Sequence, residues 1–119
     1  MAFELQRGEA FAIHKPAAQP CPHLDARHRC TIHENLAARG FSGCVQFSCN
    51  GAGQRVIHEV FAGQSWRDHP ELTQPMIEAF GAMRQVHAQL LLLGEAAKLP
   101  LSAADRESLS ALERDLSPP

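Results

Sequence analysis

The stretch Leu72-Thr-Gln-Pro-Met76-Ile-Glu-Ala79-Phe80-Gly-Ala-Met83-Arg-Gln-Val86-His87-Ala-Gln-Leu90-Leu-Leu-Leu93-Gly-Glu-Ala-Ala97 decides the fold. Leu72, Met76, Ala79, Met83, Val86, Leu90, Leu93 and Ala97 recur at alternating four- and three-residue steps, which puts them on one helix face. Phe80 and His87 widen the stripe. Asp68 or Thr73 can cap its start, Pro75 is tolerable only in the first turn, and Leu99-Pro100 ends it. Ser102-Ala-Ala-Asp105 then reads as a second capped start, opening a helix with Leu109, Leu112 and Leu116 on one face. The short link predicts an antiparallel helical hairpin.

Working outward, the chain falls into three zones of one expected domain. Residues 1–20 form a leader without helical period, closed by Pro16 and Pro20. Residues 21–66 hold all four cysteines and four of the seven histidines, and residues 67–119 are the helical hairpin with a fraying end. Within the middle zone, Thr31-Ile-His-Glu34 has the pattern of a capping box, predicting a short helix over Ile32–Arg39 that Gly40 stops. A second short helix is expected after Asn50-Gly51, running through Val60 to Gly63. Gly43–Cys49 alternates in part and suggests a short extended segment. The expected class is mainly α, with a small irregular cysteine-containing region packed on the C-terminal hairpin.

Size and charge narrow the function. With 119 residues, 45% of them hydrophobic, the chain can bury a real core. A formal net charge of −2 gives no basic stripe for nucleic acid. The longest apolar run, Leu90–Leu93, is far short of the roughly 20 residues of a membrane span. Met1-Ala-Phe-Glu-Leu-Gln-Arg7 lacks the apolar core of a secretory signal, so a cytoplasmic location with reduced thiols is expected.

Those thiols are the main chemical signal. Cys21, Cys30, Cys44 and Cys49 are spaced C-x8-C-x13-C-x4-C, looser than the paired motif of a zinc ribbon. Cys30 precedes the expected cap at Thr31, and Cys49 precedes the expected helix start at Asn50. Helix N-termini favour the thiolate, the form that binds metal. Cys21-Pro-His23 and Cys30-x2-His33 bring imidazoles near as substitute ligands. The residues suit one metal held by thiolates, zinc above all, or an iron–sulfur centre. The plainer alternative is four buried thiols acting as small apolar groups.

Cys21-Pro-His-Leu-Asp25, Arg29-Cys-Thr-Ile-His-Glu34 and Gly43-Cys44-x2-Phe47-x-Cys49 resemble the downstream half of a bacterial cysteine-cluster, zinc- or iron-chelate-binding-like family. The similarity is closest to the cysteine-cluster region ahead of some pentapeptide-repeat proteins. Arg39-Gly-Phe-Ser-Gly-Cys44, Cys49-Asn-Gly-Ala-Gly-Gln-Arg-Val56, Phe61-Ala-Gly63, Trp66-Arg67 and Met83-Arg-Gln-Val-His87 carry it. The resemblance covers about residues 10–95 and implies metal binding. The family's upstream cysteine motif and the repeats are absent from this sequence, which leaves a single four-ligand site as the expectation.

The weaker patterns point to structure. Gly51-Ala-Gly-Gln54 lacks the rest of a dinucleotide or P-loop signature and reads as a tight turn. His58-Glu59 has no second histidine of a metalloprotease helix. His87, at the stripe's edge, reads as a hydrogen-bonded core histidine. The expected role is therefore a small metal-binding module, structural or regulatory rather than catalytic. Two alternatives stand beside it: thiol redox through Cys44 and Cys49, and a metal-free helical module that dimerises or binds a protein partner through the long helix.

Overall fold

A computed structural model describes residues 3–118. Its order is a 3-10 turn at His33–Asn35, helices α1 (Ser42–Gln46) and α2 (Ala52–Arg55), a π-turn at Val56–Val60, a 3-10 turn at Pro70–Leu72, and helices α3 (Thr73–Ala96) and α4 (Ala103–Leu116). The fold is mainly helical. Among the described residues the only β-pairing is two isolated antiparallel bridges, Leu5 with Lys15 and Leu24 with Cys30.

Chain packing resolves into two units that do not follow the three sequence zones. The first comprises residues 3–48 and 66–77, and the second residues 49–65 and 78–118. In the first unit, Leu5, Ile32 and Phe41 form a buried core, with Phe11, Ile13, Cys30, Leu36 and Cys44 packed against it. The leader is part of this core. Leu5 and Lys15 exchange both backbone hydrogen bonds, at 2.8 Å each, and Gly43 donates to the Ala10 carbonyl at 3.0 Å. The Phe11 ring lies directly over Gly43, so that a Cβ there would meet the ring at 2.5 Å and the ring would have to shift.

Two expectations in this unit are corrected. Thr31 caps no helix: its hydroxyl donates to the His23 carbonyl at 2.9 Å, and its amide donates to the same oxygen at 2.8 Å. With Thr31 committed across to the His23 carbonyl and Ile32 drawn into the core, only the His33–Asn35 turn forms, and it has no side-chain cap. The helix start expected to support Cys30 is therefore missing. The segment expected to be extended instead begins as α1, whose C-cap Phe47 turns to extended backbone.

The second unit follows the sequence closely. Asn50 and Gly51 both take positive φ, at 51° and 85°, and turn the chain into α2 and the π-turn. Ser102 caps α4, its hydroxyl accepting from the Asp105 amide at 3.1 Å. Arg106 donates to the carbonyls of Ala97 and Leu99, tying α4 to the end of α3, against which it packs. Along α3 the stripe is buried or half-buried from Met76 to Leu93, whereas Gly81, Ala82, Arg84, Gln85, Ala88 and Gln89 are exposed. Leu91 and Leu92 lie off the stripe and are exposed, and so is Leu112 on α4. No helix is long and apolar enough to cross a membrane among the described residues.

Candidate metal centre

The first unit contains a cavity of about 190 Å³. It is lined by the thiol-bearing Cys21, Cys30 and Cys44 and by His23 and His33, together with the apolar residues Leu24, Ile32, Leu36 and Phe41. Three local devices place these groups. The hairpin 21–31 places Leu24 opposite Cys30, and the Leu24 amide donates to the Cys21 carbonyl at 3.0 Å, which ties Cys21 to the hairpin's base. The Asp25 carboxylate closes the turn, accepting from the amides of Arg27 at 2.8 Å and Arg29 at 2.9 Å. Helix α1 carries Cys44, whose amide donates to the carbonyl of core residue Phe41 at 3.0 Å.

All four cysteines are free and half-buried. Burial pushes the Cys44 thiol above its ordinary pKa, and the neighbouring Cys21 and Cys30 sulfurs push it the same way. The His23 ring meets the Phe41 ring edge-on, with centroids 5.2 Å apart. As they stand, no three His, Cys, Asp or Glu side chains among the described residues are gathered tightly enough to hold a metal ion. The cavity groups the donors without bringing them to coordination distance.

The structure thus brings together Cys21, Cys30 and Cys44 with both expected substitute ligands, His23 and His33. Cys49 belongs to the second unit, where its thiol approaches Gln54 Oε1 at 3.8 Å. His87 also belongs there. Its Nδ1–H donates to the Asn50 carbonyl at 2.6 Å, and Nε2 faces the Arg55 guanidinium at 3.5 Å. Arg55 in turn donates to the Leu116 carbonyl at 2.8 Å and pairs with Glu59 at 3.1 Å. His87 is a hydrogen-bonded structural histidine that fastens the Asn50-Gly51 turn to α3.

Sequence reasoning passed over Lys15, which is only 3% exposed. Its ammonium donates to the carbonyls of Phe3, Pro16 (3.1 Å) and Gln19 (2.7 Å). Burial pulls its pKa down, while the Cys21 sulfur acts in the opposite direction. A signal was present: Phe11, Ile13 and Lys15 alternate inward while Ala12 and His14 face out. Arg67 was also passed over. It donates to the Asp25 carbonyl at 2.6 Å and lies 5.2 Å from the Trp66 ring, clasping the cysteine hairpin from outside.

No protein-family model matches the chain, and no solved structure matches it. The chain is 33% identical over 118 residues to the Bacillus subtilis (strain 168) protein described as "Uncharacterized protein YybG". That similarity takes in 96% of this chain and 42% of the relative, so the chain spans less than half the length of the curated relative it matches.

Proposed function

We propose that this chain is a small metal-binding module whose first unit holds one soft divalent ion, zinc above all, through Cys21, Cys30 and Cys44 with His23 or His33 as the fourth donor. The observation that carries this reading is one cavity lined by three cysteines and two histidines. Thiolate and imidazole are the donors zinc takes in closed structural sites, and three thiolates with one imidazole is an established set. An iron–sulfur centre fits less well, because it draws on four thiolates.

On binding, the metal would supply folding free energy and displace thiol protons. Because the Cys44 thiol is held protonated by burial and by its neighbours, a cation among these sulfurs relieves what now disfavours the thiolate. A closed four-donor site leaves no open position for substrate, so the role we assign is structural or regulatory rather than catalytic. The resemblance to the cysteine-cluster family supports the same reading. The test is elemental analysis with a visible spectrum on protein purified without added metal. One zinc per chain and a colourless solution support the proposal. Brown protein with iron and sulfide would replace zinc with a cluster.

The exposed Leu91 and Leu92 on α3 favour a second reading, in which the long helix also meets a protein partner or a second copy. A mass that rises with concentration in the wild type and not in Leu92→Lys would support it.

A further inference from the structure

We propose that Lys15 is the positioning residue of the thiol cluster: its buried ammonium clasps the turn that delivers Cys21 and holds a positive charge at that turn. This deepens the metal-binding reading and rests on it.

A lysine is almost never fully buried unless something pairs with it. Among the described residues, no carboxylate lies in ion-pair range of Lys15. Its partners are carbonyl oxygens, which satisfy its donors but leave its charge unbalanced. Two of them, Pro16 and Gln19, bracket the turn that runs directly into Cys21, and within that turn Ala18 takes a positive φ of 65°. The third, Phe3, ties the same nitrogen to the start of the leader. The backbone bridge to Leu5 then fixes Lys15 to the core on which Cys30 and Cys44 pack.

A charged group in this position has a chemical use. Zinc with three thiolates and one neutral imidazole carries a net negative charge, and burying such a centre is costly without a countercharge. Lys15, bonded to the carbonyls of Pro16 and Gln19 in the turn before Cys21, brings one to the Cys21 side. Its role resembles that of the outer partners that orient metal ligands in general, whose removal weakens metal affinity about 10- to 100-fold.

The test uses the full chain and zinc(II) as probe, with iodoacetamide alkylation of each cysteine read by peptide mass spectrometry. Lys15→Met keeps the apolar stem and removes the charge and all three donors. The expected result is zinc affinity lowered about 10- to 100-fold, with Cys21 losing zinc protection while Cys30 and Cys44 keep it. Unchanged affinity with all three thiols equally protected overturns the role of Lys15 and leaves the metal reading intact. If zinc protects no thiol in the wild type, the metal reading fails and this inference falls with it. Should Lys15→Met not fold, Lys15→Arg decides. It keeps the charge, but a planar guanidinium cannot converge on three carbonyls as one ammonium does. Weakened protection confined to Cys21 supports the clasp, and full wild-type protection overturns it.

Discussion

Replacing Phe41 with alanine tests the packing on which the candidate site depends. Phe41 is 3% exposed, touches Leu5 and Ile32 in the core, faces the His23 ring and forms one wall of the cavity. Removing a buried phenyl group typically costs about 3–5 kcal/mol, more where the surroundings cannot close over the space. Here the lost ring would open into an existing cavity of about 190 Å³, so the upper half of that range is expected. A chain of this length has roughly 6–18 kcal/mol of total stability, so the loss is a large fraction of it. Trp66 is the only tryptophan and lies in the first unit, within 5.8 Å of the His28 ring, so its fluorescence reports on that unit. In urea its midpoint should fall by about 1 M or more. Phe47→Ala, at a ring 40% exposed, should cost only about 1–2 kcal/mol. Equal losses for the two variants would show that the first unit has no core centred on Phe41.

Three further outcomes follow from the same structure. His87→Gln should lower stability by about 0.5–1.5 kcal/mol through the lost bond to the Asn50 carbonyl and leave bound metal unchanged; metal loss with helicity intact would make His87 a ligand. Ser102→Ala should cost about 1 kcal/mol and fray the start of α4, seen as faster amide exchange at Asp105; unaltered exchange would remove the cap from the account. The Asp25 carboxyl is held below the usual carboxylate range, mainly by the Arg29 amide and then by the Arg27 amide. Its folded pKa is depressed, so its contribution is complete above that usual range and is lost as pH falls through the lower folded value. Asp25→Asn should accordingly flatten the acid limb of the Trp66 signal, and an unchanged acid limb would refute the assignment.

The two long helices were legible because their signals are local and mutually consistent. An eight-position stripe, a serine cap and a Leu99-Pro100 stop leave one solution for α3 and α4. The turn at Asn50-Gly51 and the partnered His87 were legible for similar reasons. Thr31 misled because a hydroxyl that can cap a helix can as well bond a carbonyl across a hairpin, and only the position of His23 decides between them. The leader was read correctly as lacking helical period, but its place in the core was not legible, because that place depends on long-range partners: Leu5 with Lys15, Gly43 with Ala10, and Phe11 over Gly43. The same cause hid Lys15. Spacing identified the cysteines as a set, but it could not divide them, and the structure places Cys49 in the second unit while the other three share a cavity.

X-ray absorption at the zinc edge of the purified 119-residue chain tests the central claim most directly, because it counts and identifies the atoms bound to the metal. The account predicts one zinc per chain with a shell of three sulfurs at about 2.3 Å and one nitrogen at about 2.0–2.1 Å. Protein without stoichiometric metal, or with zinc surrounded only by light atoms near 2.0–2.1 Å, would contradict it.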